Sequence, residues 1–142
     1  MTYVAGYAPD ERGPAALHLA AMLARSTGDD LVVGVVVPQS WFPSQAKIDA
    51  EYRQSLAEHV DAALARAREE LPDDVRATFV RHEARSVPAG VLELAKESGA
   101  DLVVVGSASA GPFGQVALGS VTDHLLHSSP VPVALMPARA EQ

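Results

Sequence analysis

The residues best suited to chemistry lie in a glycine- and serine-rich stretch that has no charged side chain between Asp101 and Asp123. Its glycines and hydroxyl residues are Gly106, Gly111, Gly114, Gly119, Ser107, Ser109 and Ser120. Backbone N–H groups, hydroxyls and the N-terminus of a following helix can bind an anion such as phosphate without a lysine. The alternative is that these glycines only turn the chain from a strand into a helix.

Three other chemical patterns in the same region are incomplete. The segment from Gly114 to Ser120 imitates a phosphate loop, but the position before its serine is Gly119 where that motif needs lysine. The serines lack the G-x-S-x-G spacing of a hydrolase nucleophile. His124 and His127 are one helical turn apart, with no third metal ligand evident nearby. We therefore predict no catalytic residue and no metal site, and we keep an enzyme, a slow ATPase or nucleotide hydrolase, as an alternative.

Alternating strands and helices must position this stretch. The predicted strands are Tyr3–Ala8, Leu31–Val37, Val75–His82, Leu102–Val105 and Val131–Met136. Between them, helical patterns run from an Asp10 N-cap to Gly28, from Ile48 to Leu71, from Pro88 to Gly99, and through Leu118, Val121 and Leu125. Continuous valine and leucine runs are typical of strands covered on both faces. The pattern predicts a doubly wound α/β sheet, whose sites lie at the carboxyl ends of the strands.

The spacing within the stretch resembles a known family. Gly106, two residues, Ser109, nine residues and then Gly119-Ser120 is similar to the nucleotide loop of the universal stress protein family, with Ser109 in place of a second glycine. The closing segment PVPVALMP also resembles the carboxyl end of that family. The resemblance covers the whole chain.

The resemblance implies a fold as well as a family. The expected architecture is a single domain over residues 1–142, with a five-stranded parallel sheet in the order 3-2-1-4-5 and helices on both faces. This fold is adenine-nucleotide-hydrolase-like. The resemblance also implies a site between the ends of strands one and four. Periodicity alone does not give the strand order.

The implied ligand is ATP with Mg²⁺, bound as a regulator. The residues that would bind it are Val36, Val105, Gly106, Ser109, Gly119, Ser120 and Val121. The two valines would line the adenine pocket, and the glycines and Ser120 would approach the ribose and phosphates. However, Ala8 stands where nucleotide-binding members carry an aspartate, and the nearest carboxylate, Asp10, is explained as a helix cap. A nucleotide-free interaction protein is therefore the alternative.

Three aromatic residues have an open role. Tyr7 could stack over the base, fill the pocket with its ring, or pack against a helix, which is the commonest fate of a tyrosine in a strand. Trp41 and Phe42 lie in a proline-containing loop and could form a lid over the site. We favour the simpler interpretation that they fix this loop to the core.

The last strand, Val131–Met136, contains or adjoins several prolines and is predicted at an edge of the sheet. An apolar edge invites pairing with another chain, and the resemblance implies a homodimer through this strand. The alternative is a monomer whose edge is protected by its prolines.

Composition excludes several other classes of partner. The net charge is −7, from 18 acidic and 11 scattered basic residues, so no basic patch for DNA or RNA is expected. There is no cysteine, and no apolar run approaches a membrane span. The first residues do not resemble a signal peptide. We therefore predict a cytoplasmic protein.

Overall fold

A computed structural model describes residues 1–7, 12–38, 50–109, 124–125 and 127–138. The elements, in chain order, are β1 (Thr2–Gly6), α1 (Arg12–Thr27), β2 (Asp30–Pro38), α2 (Ala50–Glu70), β3 (Ala77–Ala84), α3 (Val87–Ser98), β4 (Leu102–Ser109) and β5 (Val133–Ala138). Residues 124–125 and 127–128 are also helical. The predicted alternation of strands and helices is confirmed.

The five strands form one parallel sheet in the order β3-β2-β1-β4-β5, as the resemblance implied. The chain moves outward from β1 to β2 and β3 and then crosses back to place β4 on the other side of β1. The central strand pairs Gly6 with Gly34 of β2, and Ala5 with Val104 of β4. The carboxyl ends of β1, β2 and β4 therefore lie at the same end of the sheet.

Alternate residues of each central strand enter two separate cores. On one face, α1 and α2 cover the side chains of Tyr3, Ala5, Tyr7, Val33, Val35, Val37 and Val104. On the other face, α3 and Leu125 cover Val4, Val36, Val103 and Val105. This arrangement explains the continuous valine runs, because a strand buried on both faces has no solvent-facing position. The expected helices on both faces are confirmed.

Helix α3 has the clearest end signals in the chain. Ser86 is its N-cap and accepts a hydrogen bond from the backbone N–H of Ala89, and Pro88 lies in the first turn. Gly99 ends the helix with a φ of 63°, a left-handed conformation that favours glycine. These signals hold α3 at a fixed place between β3 and β4.

The two edge strands differ slightly from the prediction. Strand β3 begins at Ala77 and not at Val75, and it lies at one edge, as expected. Strand β5 lies at the other edge and includes Pro137, which the sequence placed after the strand. Val103 donates to the carbonyl of Pro132, so the backbone groups of Ala134 and Met136 face β4 and those of Val133, Leu135 and Pro137 face outward. Pro137 therefore costs no hydrogen bond within the sheet.

Strand β4 is longer than the sequence predicted, which is a correction. It continues through Gly106 and Ser107 to Ser109, although these residues are poor strand formers. Strand β5 provides the reason, because Pro137 pairs with Ser107 and Ala138 with Ser109 across a β-bulge. None of the helices in the described ranges has the length and apolar character needed to cross a membrane.

Candidate nucleotide site

The site predicted from the sequence lies where the central strand ends. Strand β1 ends at Gly6, whereas β2 continues to Pro38 and β4 to Ser109. Among the described residues, the last hydrogen bond along this edge of β1 runs from the backbone N–H of Tyr7 to the carbonyl of Gly34, at 2.8 Å. Beyond this bond, β2 and β4 flank the line of β1 on either side. This is the position at which doubly wound sheets bind ligands.

Val36 contributes a backbone carbonyl at this position. Backbone groups alternate along a strand, so the next carbonyl of β2 that faces β1 after Gly34 belongs to Val36. In a continued ladder its donor would be the N–H of residue 9. Residue 9 is Pro9, which has no N–H. A continued β1–β2 ladder would therefore provide no donor for the carbonyl of Val36, which makes this carbonyl a candidate acceptor for a ligand.

The side chain of Val36 lies on the α3 face and is 8% exposed. It packs in the same cluster as Val105, which comes from β4 on the other side of β1. Gly6 lies between them, and a Cβ atom at this glycine would lie 3.6 Å from Cγ1 of Val105. Val36 and Val105, two of the predicted site residues, thus lie in one hydrophobic cluster although they are far apart in the sequence.

The β4 side of the site begins with Gly106, which pairs with Met136 of β5. Ser109 belongs to the strand and pairs with Ala138, so its backbone is extended. Positive φ values occur at Gly28 and Gly99 among the described glycines. As a residue of strand β4, next to the β-bulge, Ser109 has a backbone conformation that does not require glycine. The remaining predicted site residues, Gly119, Ser120 and Val121, lie outside the described residues.

Tyr7 packs against a helix, the third alternative considered above. Its ring is 4% exposed and belongs to the α1–α2 core, opposite to the face that holds Val36. Burial raises the pKa of its hydroxyl, and the negative charge of Glu70 adds to this increase, while Arg66 opposes it. Tyr7 therefore fixes the end of β1 to α2. Trp41, Phe42, Ala8 and Asp10 are not among the described residues.

His124 and His127, the pair considered for a metal, are both exposed. Within the described part of the chain, no group of three or more acidic or histidine side chains could hold a metal ion. Another histidine, His82 on β3, pairs through Nε2 with Oε1 of Glu93 on α3 at 2.7 Å. This pair joins β3 to α3, and His82 pairs with Val36 on the side of β2 opposite to β1.

The sequence analysis missed one feature of this region, the glycine at position 90. Gly90 lets α3 approach Val36 closely. A glycine inside an apolar helical pattern is an available signal for such a close approach.

Comparisons with known proteins agree with this architecture. The sequence model of the universal stress protein family matches residues 3–137. A universal stress protein of Mycobacterium tuberculosis is 42% identical over 144 residues, covering 98% of this chain and 49% of that protein. The chain thus spans about half the length of the curated relatives it matches.

Solved structures show the same fold at low identity. A universal stress protein from Archaeoglobus fulgidus in complex with dAMP is 19% identical with a TM-score of 0.61, covering 95% of each chain. A universal stress protein in complex with cAMP is 20% identical with a TM-score of 0.66, covering 97% of each chain. From the family match, the identity to the mycobacterial relative and the strand order, this chain belongs to the universal stress protein family.

Proposed function

We propose that this chain binds an adenine nucleotide, ATP with Mg²⁺, as a regulatory ligand at the end of β1. The observation that carries the proposal is the backbone carbonyl of Val36, which faces the line of β1 beyond the hydrogen bond from Tyr7 to Gly34. Two structures of the same fold contain cAMP and dAMP, which supports an adenine ligand.

The carbonyl of Val36 favours adenine over guanine. Adenine carries an amino group at C6, which donates hydrogen bonds, whereas guanine carries an oxygen there, which accepts them. A carbonyl acceptor can bind the amino group but repels the oxygen. A guanine nucleotide would leave two acceptors facing each other in a partly buried place, which costs about 1–3 kcal/mol.

The phosphates would extend toward the carboxyl end of β4. Gly106 would let the ribose approach the backbone, and Gly119, Ser120 and Val121 would offer N–H groups and a hydroxyl, as the family resemblance implies. Because the glycine- and serine-rich stretch has no lysine or arginine, Mg²⁺ would supply the positive charge. Val36, Val105 and Gly106 carry no general base, so we propose a bound regulator and not a substrate.

Ala8 weakens this site relative to members of the family that carry aspartate there. A hydrogen bond to a charged group contributes about 1.5–3 kcal/mol, so its loss lowers affinity by roughly 10- to 100-fold. A micromolar site would then bind at about 0.1 mM, still within reach of millimolar cellular ATP. Since the backbone of Ser109 is extended, we expect this serine to cause no further loss of nucleotide affinity.

Calorimetric titration of the purified protein with Mg·ATP and Mg·GTP tests the proposal. We expect saturable ATP binding with a Kd below about 1 mM, and GTP binding at least about tenfold weaker. Gly119→Val should abolish ATP binding. Ala8→Asp should tighten it, whereas Ser109→Gly should leave it unchanged. Absence of ATP binding by a folded protein would reject the proposal.

A second candidate function, protein interaction without nucleotide, is favoured by the β5 edge. Its residues Val133, Ala134, Leu135 and Met136 are all half-buried and apolar, and none is charged. An edge of this kind pairs readily with another strand. We propose that β5, with the preceding residues from Val131, forms a homodimer in either case.

The outward direction of the Leu135 backbone gives a specific test of that dimer. Leu135→Pro removes an N–H that faces away from β4, so it should prevent pairing with a second chain while the β4–β5 ladder is kept. Sedimentation velocity should show a dimer for the natural sequence and a folded monomer for the variant. A dimer that survives this substitution would mean that the copies associate through another surface.

A further inference from the structure

Helix α3 and strand β2 contact each other through two glycines, one on each element. Gly90 of α3 receives the side chain of Val36, and Gly34 of β2 receives the side chain of Leu94. Val36 and Leu94 are 8% and 5% exposed, so both contacts are deep in the α3-face core. Each element thus inserts one side chain into a gap that a glycine leaves in the other.

The gap at Gly90 is surrounded by side chains that have little freedom to move, those of Val36 and Ala84. A Cβ atom there would lie 2.5 Å from Cγ1 and 2.9 Å from Cγ2 of Val36, and 3.0 Å from Cβ of Ala84. Carbon atoms in contact lie about 3.5–4.0 Å apart, so all three distances are too short. Valine has little rotamer freedom, and Ala84 is buried in the neighbouring strand. A side chain at position 90 must therefore displace Val36 or lift α3.

The gap at Gly34 is different. A Cβ atom there would overlap with Cδ1 of Leu94, and the next nearest atom is Cγ2 of Val80 at 3.5 Å. Cδ1 is the far end of a flexible side chain, so Leu94 can yield by rotation. Gly34 and Gly90 therefore belong to the same helix–strand contact, but only Gly90 contacts a residue of the proposed nucleotide site.

We propose that Gly90 is a positioning residue that sets the depth of the base pocket. Without a side chain at position 90, Val36 stays drawn back against α3, which keeps room for the adenine ring at the end of β1. This inference rests on the proposed nucleotide site. It adds a residue that does not touch the ligand and acts only through Val36.

The expected result of Gly90→Ala follows from this role. The added methyl group pushes Val36 toward the base and weakens base binding by about tenfold, within the usual cost of overpacking. Because the base and not the phosphate is affected, adenosine, AMP and Mg·ATP should all lose affinity by the same factor. Two-dimensional NMR titration with these three ligands measures the weak binding directly.

Gly34→Ala is the matched control, since it adds the same methyl group to the same contact. We expect it to change affinity by less than about twofold, even where thermal denaturation shows a comparable loss of stability. A second variant, Val36→Ala combined with Gly90→Ala, removes the displaced methyl groups but keeps the backbone carbonyl of residue 36. It should bind adenosine more tightly than Gly90→Ala alone.

The outcomes separate this inference from the function on which it rests. If the natural sequence binds none of the three ligands, the proposed function fails and the role of Gly90 fails with it. If the natural sequence binds adenosine and Gly90→Ala binds it equally well, only the role of Gly90 is rejected. Equal losses of affinity in Gly34→Ala and Gly90→Ala would also reject it, because a general packing effect would then suffice.

Discussion

The two faces of the sheet are filled with side chains of different kinds. The α1–α2 face contains large residues such as Tyr3, Tyr7 and Leu31, together with a row of alanines from α1 and α2. The α3 face is built mainly from valines, and there glycines allow the helix to approach the strand closely. The first face stabilises the sheet by burying apolar area. The second also contains Val36 and Val105, two residues of the proposed site.

The largest expected effect comes from truncating the α1–α2 core. Leu17 of α1 is 2% exposed, so Leu17→Ala should lower the free energy of unfolding by about 2–5 kcal/mol. Urea denaturation measures this loss. The affinity for adenine nucleotides should stay within about twofold of the natural value, provided that the variant remains folded. A large loss of affinity would show that both faces control the site.

Pro9→Ala tests whether the carbonyl of Val36 accepts a hydrogen bond from the adenine amino group. Alanine would supply the N–H that proline lacks, and this donor would compete with the adenine amino group. A hydrogen bond contributes about 0.5–1.5 kcal/mol, so ATP affinity should fall by up to about tenfold. Calorimetry measures this change, and GTP binding is the control, because it should not fall. A gain in ATP affinity would contradict the role given to this carbonyl.

Tyr7→Phe gives a smaller effect that depends on pH. The folded state raises the pKa of Tyr7 above its unfolded value of about 10, because the hydroxyl is buried and Glu70 lies nearby. Above about pH 10 the unfolded chain loses this proton first, so the contribution of Tyr7 to stability declines as pH rises through the folded pKa. Tyr7→Phe should remove that part of the decline.

Denaturation of both proteins at pH 8 and at higher values, up to about pH 11, makes this comparison. The other two tyrosines, Tyr3 and Tyr52, are present in both proteins and provide the internal control. If stability declines with pH equally in the natural protein and in Tyr7→Phe, then Tyr7 does not contribute to this decline.

The smallest effect is expected at the surface of the α3 face. His82 and Glu93 form a pair at 2.7 Å, but Glu93 is 52% exposed. Exposed ion pairs contribute about 0–1 kcal/mol, so Glu93→Gln should cost less than about 1 kcal/mol and leave nucleotide affinity unchanged. Thermal denaturation measures the loss of stability, and titration with Mg·ATP measures the nucleotide affinity. A loss of affinity would mean that the orientation of α3 depends on this surface pair.

Much of the fold could be predicted because its signals are local. Valine runs specify strands, and Pro88 and Gly99 specify the two ends of α3, within a few residues. The end of β4 could not be predicted in this way, since Gly106, Ser107 and Ser109 look like a loop. They become a strand only because β5, some thirty residues later, supplies hydrogen-bond partners.

The candidate site likewise has features that the sequence predicts and features that it does not predict. The spacing of Gly106, Ser109 and Gly119-Ser120 indicated the family, and the family supplied the strand order and the role of Val36. The close approach of Gly90 to Val36 and the burial of Tyr7 against α2 were not predictable, because each joins elements that are distant in the sequence.

By itself, the sequence determined the elements, their alternation and the family, because hydrophobic periodicity, turn residues and motif spacing act over short distances. Only tertiary packing made β4 run to Ser109, turned the carbonyl of Val36 toward the line of β1, and brought Gly90 against Val36. The physical reason is that register and helix–strand distance result from packing between remote segments, where a single methyl group changes the fit.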